Sequence, residues 1–88
     1  MRFQRFDWDT WNIEHIARHG VAPQDAEAVC RGRTVVRRGR RGSYLLYGRT
    51  EAGRYLLVVL RSLGQGVARI ITARQMTSRE QRFYHGRR

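Results

Sequence analysis

The chain is 88 residues long and carries 18 basic side chains, all arginine, against seven acidic ones, for a formal net charge of +11; a chain of this length supports one modest core, so residues 1–88 are read as a single domain. Its longest apolar run, Tyr55 to Leu60, has six residues where a membrane helix needs roughly 20, and Met1-Arg2-Phe3-Gln4-Arg5 lacks a signal peptide's apolar region, so neither insertion nor export is expected and the chain reads as cytoplasmic. Cys30 has no second cysteine to pair with, and the three histidines are dispersed; neither a disulfide, a metal nor a cofactor is expected.

Phe3, Arg5 and Asp7 alternate with Gln4, Phe6 and Trp8, predicting a short first strand that ends at Asp7 and Asp9. Asp9 is a fitting N-cap, Trp11, Ile13, Ile16 and Ala17 follow a helical period, and Gly20 suits a left-handed C-cap, so a first helix is expected from about Thr10 to His19. A second begins at Pro23, with Asp25 and Glu27 near its positive end, shows Ala26, Val29 and Cys30 on its apolar side, and stops at Gly32.

From Thr34 the period turns extended. Thr34–Arg38, Ser43–Arg49, Tyr55–Ser62 and Val67–Arg74 are separated by Gly39 to Gly42, Thr50 to Gly53 and Leu63 to Gly66, and connections this short join antiparallel neighbours. Tyr55 to Leu60 does not alternate, which predicts a central strand covered on both faces or nearly so. Thr77-Ser78-Arg79-Glu80 is a capping box that opens a third helix running to about Gly86. The expected fold is α+β, an antiparallel four- to five-stranded sheet with two N-terminal helices and one C-terminal helix, the helices packed on one side.

The charge is uneven. Residues 1–30 hold three arginines against five acids, a net of −2, and residues 31–88 hold fifteen against two, a net of +13. The partner of that second surface should be polyanionic. Arginine at every basic position, beside many alanines and glycines, reads as the mark of a GC-rich genome rather than a chemical requirement.

Phe6-Asp7-Trp8-Asp9, Asn12, Arg18-His19-Gly20-Val21, Gln24 to Val29, Tyr47-Gly48-Arg49-Thr50, Gly53-Arg54-Tyr55-Leu56, Arg69 to Arg74 and Arg79 to Tyr84 together resemble the BrnT family of ribonuclease toxins, over nearly the whole chain. The resemblance implies a fold like that of the RelE and ParE toxins and metal-independent RNA cleavage. It also implies neutralisation by a co-expressed BrnA-like antitoxin that binds operator DNA, in a hetero-oligomer expected to hold two toxins. Thr10 stands where the family usually has proline, and Arg18 where it often has lysine. The turn Arg37-Arg38-Gly39-Arg40-Arg41 is more basic than the family pattern.

Cleaving RNA without a metal requires deprotonation of the 2′-OH, stabilisation of pentacoordinate phosphorus and protonation of the 5′-oxygen. Arginine fits the second task alone, because its guanidinium grips phosphate but stays charged. Arg74, at the end of the last strand, is the first choice; Arg61, at the end of the preceding strand, meets it or not according to register. Arg49 and Arg54 flank one hairpin turn and match the family's two Gly-Arg pairs. His19, at a helix C-terminus that favours its protonated form, suits an acid or phosphate ligand better than a base, or simply caps the helix with Gly20. His15 shares its helix face but lacks a third metal ligand. Tyr84 is a candidate to stack on a base or hold a phosphate, whereas Glu80 is explained by the capping box, and Trp8 and Trp11 by core or partner contact. Arg54, Arg37, Arg38, Arg40, Arg41 and Arg79 are candidate RNA contacts. Against all of these stands a plainer reading, that arginines at sheet edges keep a protein soluble. A non-catalytic RNA- or DNA-binding module is the alternative function.

Overall fold

The computed structural model describes residues 1–87. In chain order the elements are β1 (Arg5–Asp7), α1 (Thr10–Ala17), α2 (Pro23–Arg31), β2 (Thr34–Arg38), β3 (Tyr44–Arg49), β4 (Tyr55–Gly64), β5 (Val67–Gln75) and α3 (Ser78–Arg87), with a short 3-10 turn at Arg40–Gly42. The five strands form one sheet in the order β1-β5-β4-β3-β2. Hairpin turns make β2 to β5 antiparallel, as their short connections require. β1 departs from the expected antiparallel sheet. It pairs parallel to β5, Phe6 opposite Ala68, because no hairpin links the two and its direction is set by Gln4 and Arg5 donating to the Gly66 carbonyl.

Asp9 caps α1 as expected: its side chain accepts from the Asn12 N–H at 3.1 Å, and the Asn12 carbonyl oxygen accepts the Asp9 N–H at 2.8 Å. That backbone hydrogen bond from Asn12 holds the Asp9 carboxyl below its ordinary range. Asn12 does more than cap, since its amide donates to the carbonyls of Asp7 and Ile70, each at 2.9 Å. One buried side chain therefore fastens α1 to both β1 and β5. The helix stops two residues earlier than its pattern suggests, and the chain leaves through Gly20 at φ +71°, a left-handed conformation that favours glycine.

Helices cover both faces of the sheet, not one. Ile16 and Val21 join α2's Ala26, Val29 and Cys30 against Leu46, Leu56, Val58, Leu60, Ala68, Ile70 and Ala73. Behind them, Tyr84 and Phe83 of α3 pack with Tyr47, Leu57, Met76, Val35, Leu45, Tyr55 and Val59. The uninterrupted apolar run of β4 demands this second cover, because Leu56, Val58 and Leu60 point one way and Tyr55, Leu57 and Val59 the other. Close approach of α2 leaves no room for a side chain at Gly48, where a Cβ would lie 2.9 Å from a Val29 methyl. Cys30 is buried on the inner face of α2, and desolvation pushes its thiol up to about 12, so it is a packing group rather than a nucleophile.

α3 starts with the expected capping box: Thr77 N–H donates to Glu80 Oε1 at 2.8 Å, and Glu80 N–H to Thr77 Oγ1 at 3.2 Å. The same carboxylate also takes a bidentate grip from Arg74, with Nη1 to Oε1 at 2.7 Å and Nη2 to Oε2 at 2.8 Å. Chiefly through Arg74, the Glu80 carboxyl is held below its ordinary range. A depressed carboxyl pKa stabilises the fold above the unfolded-state value and loses that contribution as pH falls through the folded value. Both partners are partly solvated, so the pair is worth about 1 kcal/mol. Glu80→Gln is expected to lower the melting temperature at pH 7 and to lessen the further drop on going to pH 3, measured by thermal circular dichroism. A variant as acid-sensitive as the parent would refute this role.

Candidate nucleic-acid interface

Of the five candidate arginines on the strands, side-chain alternation puts four, Arg37, Arg49, Arg61 and Arg74, on the face that α3 covers. Val35, Tyr47, Leu57 and Arg74 form one row across the sheet, and Arg37, Leu45, Val59 and Thr72 the next. Arg61 faces Arg69 beyond them, and Arg49 faces Tyr55 at the opposite end. Arg61 and Arg74 do not meet in the ladder: Arg74 lies opposite Leu57, four residues from Arg61 along β4, or about 13 Å.

The acidic residues divide these arginines into held and unheld groups. Arg54 donates to Asp25 at 3.4 Å and to the Gly20 carbonyl at 3.0 Å, which ties the hairpin turn to the start of α2. Asp7 and Asp9 clamp Arg69 at 3.1 and 3.0 Å. Arg74 is occupied by Glu80 and by the Gln75 carbonyl, the latter at 3.1 Å. Among the described residues no carboxylate pairs with Arg49, Arg61, Arg37, Arg38, Arg40, Arg41 or Arg79.

At one end of the face, beside α3, Arg49 lies over the Tyr55 ring with its Cζ 5.1 Å from the centroid. Tyr55 in turn meets the Tyr84 ring at 6.0 Å and the His85 ring at 5.2 Å. Tyr84 is buried, whereas His85 and Arg49 are exposed. A guanidinium, two phenols and an imidazole thus share one site, groups chemically able to stabilise phosphate charge and transfer protons. Sequence reasoning singles out Arg49 and Tyr84 and passes over Tyr55 and His85. The signal for the missing pair is that His85 directly follows Tyr84 on a helix, and that Tyr55 must lie across the hairpin from Arg49.

At the other end Arg40, Arg41 and Arg61 surround a hollow of about 350 Å³ that is also lined by Ser43, Val59 and Ile71. Arg37 packs its guanidinium 4.9 Å over the Phe83 ring, which Arg87 approaches at 5.4 Å. Arg38, of opposite parity, points to the other face, and Arg79 is exposed on the first turn of α3.

His19 stands apart from both ends. It is exposed after α1, its ring 5.8 Å from that of His15, which stacks on the exposed Trp11 at 5.0 Å. The flanking residues Ile16 and Val21 belong to the core layer on the far side of the sheet from Tyr84. Trp8 is partly buried and donates its indole N–H to Glu27 at 2.6 Å. Among the described residues, no three His, Cys, Asp or Glu side chains converge as a metal site would require, and no helix is long and apolar enough to cross a membrane.

No protein-family model matches the chain, and neither does any curated relative. Among solved structures, the chain superimposes on the Brucella abortus ribonuclease toxin BrnT with a TM-score of 0.70 and 18% sequence identity, over 84% of this chain and 97% of that one. With five strands, two helices on one face and a third on the other, the chain has the BrnT fold, as its ordered sequence motifs imply.

Proposed function

We propose that the chain is an endoribonuclease toxin of a toxin–antitoxin pair, cleaving cellular RNA in the cytoplasm without a metal and neutralised by a BrnA-like antitoxin. The observation that carries this reading is the fold shared with a ribonuclease toxin over nearly all of that toxin's length. The cluster of Arg49, Tyr55, Tyr84 and His85 supports it by supplying suitable chemistry in one place.

In this reading the 2′-oxygen attacks the adjacent phosphorus as the bond from phosphorus to the 5′-oxygen breaks. The products are a 2′,3′-cyclic phosphate and a free 5′-hydroxyl. Arg49 neutralises the non-bridging oxygens, whose charge grows in the pentacoordinate state. His85 takes the proton from the 2′-hydroxyl as that oxygen attacks and returns a proton to the departing 5′-oxygen, since one imidazole can serve as acceptor and then as donor. Tyr55 braces Arg49 from beneath, and buried Tyr84 fixes the position of Tyr55 and His85. Arg74 acts through Glu80 to seat α3, and hence His85, on the sheet. Unheld arginines on the same face attract the RNA backbone, and the +13 charge of residues 31–88 offers an antitoxin the same surface. Two toxins per antitoxin assembly are expected.

Purified protein should cut single-stranded RNA in the presence of a chelator and leave 2′,3′-cyclic phosphate ends. Expressed alone it should arrest growth, and co-expression of a neighbouring antitoxin gene should restore it. Intact RNA together with normal growth would overturn the reading and leave a non-catalytic binding module.

A further inference from the structure

We infer that the hollow framed by Arg40, Arg41 and Arg61 is a second substrate subsite, which holds one unstacked nucleotide of a single-stranded RNA away from the cleavage cluster. This rests on the ribonuclease reading for its context, although its own evidence is local. Three guanidiniums border the hollow, and among the described residues none of them has an acidic partner, in a molecule where Arg31, Arg54, Arg69 and Arg74 all do. Uncompensated like charges brought together repel one another, and an anion between them removes the repulsion.

The lining chooses the kind of anion. Val59 and Ile71 are half-buried apolar residues on the inner side, while the arginines and Ser43 provide the polar border. An apolar seat beside a cationic border matches a nucleobase joined to its phosphate. About 350 Å³ lies at the small end of ligand pockets, which run from about 300 to 1,000 Å³. A base can enter such a pocket only when it is splayed out of a helix, so the substrate class is single-stranded. Ser43 shapes the border, because its buried hydroxyl donates to the Arg40 carbonyl at 2.7 Å and fixes the turn from which Arg40 and Arg41 project.

The hollow is remote from the proposed chemistry. Arg49 and Ser43 are six residues apart on the same run of chain, or about 20 Å, so only an oligonucleotide of several residues reaches both.

The test uses the full chain with Arg40→Gln plus Arg61→Gln and a fluorescent RNA blocked against cleavage by 2′-O-methyl groups, read by anisotropy. Binding of a single-stranded octamer should weaken about tenfold or more, and the slope of log K against log salt should fall by about 0.7 for each phosphate that the variant no longer neutralises. Binding of a duplex of equal length should change less than twofold. Both side chains are exposed, and an unchanged melting temperature is expected to accompany the weaker binding. Equal losses for duplex and single strand would reduce the hollow to an unspecific basic patch and overturn the proposal, as would unaltered octamer binding. Loss of affinity for a co-expressed antitoxin alone would assign the hollow to that partner and overturn it too. Because binding is read without cleavage, a chain that cuts no RNA but passes this test loses the ribonuclease reading and keeps the subsite.

Discussion

Replacing Asn12 by alanine is expected to lower the stability of the domain by about 2–3 kcal/mol, because three hydrogen bonds end on this side chain and their partners would be left unmatched. Its amide nitrogen serves the Asp7 and Ile70 carbonyls, and its oxygen takes the Asp9 N–H. The residue is fully buried, so water does not restore the missing bonds. For a domain of this size the loss corresponds to a fall of about 10–20 °C in melting temperature. Asn12→Asp makes the sharper test. It keeps the size and the acceptor for Asp9 but presents a second oxygen to two carbonyls, so at pH 7 it should be at least as damaging as alanine. Acidification should recover part of its loss, since a protonated carboxyl can donate one of the missing bonds. If both variants melt within about 2 °C of the parent, roughly 0.5 kcal/mol or less, then Asn12 does not hold α1 to the sheet.

Asn12 also illustrates how far the sequence could be read. Local signals place every helix and strand close to where it lies, because capping residues, glycine turns and the change of period act over a few residues: Asp9, Gly20, Pro23 and the Thr77 capping box all stand where their chemistry requires. Pairings between distant segments are less legible. Nothing near Arg5 to Asp7 says that they lie parallel to Val67 to Arg69, and Asn12 shows no sign of its bond to Ile70, 58 residues away. The side of the sheet taken by α3 is readable in principle from the two apolar parities of β4, which require cover on both faces. The candidate site is legible in residue type and not in arrangement. An arginine's sequence position does not tell whether an acid already occupies it, and that separates Arg74 and Arg54, which are held, from Arg49 and Arg61, which are not.

The same distinction sets the largest effect expected on activity. With Arg49 unpaired and His85 exposed beside Tyr55, His85→Gln should reduce kcat by about 10²–10⁴, the usual contribution of a positioned proton-transfer group. Arg49→Ala should reduce it by about 10²–10³, as expected for a group that stabilises charge only in the transition state. Neither change should raise KM comparably, because the arginines proposed to hold RNA at the other end of the face remain. Arg49→Lys keeps the charge but loses the planar fork and its stacking on Tyr55, and so should recover only part of the loss. Two controls make the result specific. Arg31→Ala removes the same unit of charge from a residue that pairs with Glu27 and lies over the Phe6 ring, and its kcat should stay within about threefold if the loss at Arg49 exceeds mere electrostatic steering. His19→Gln alters the histidine on the opposite side of the sheet, and it too should retain activity. Full activity in His85→Gln with loss in His19→Gln would move the chemistry to the turn after α1 and remove the Arg49 cluster from the mechanism.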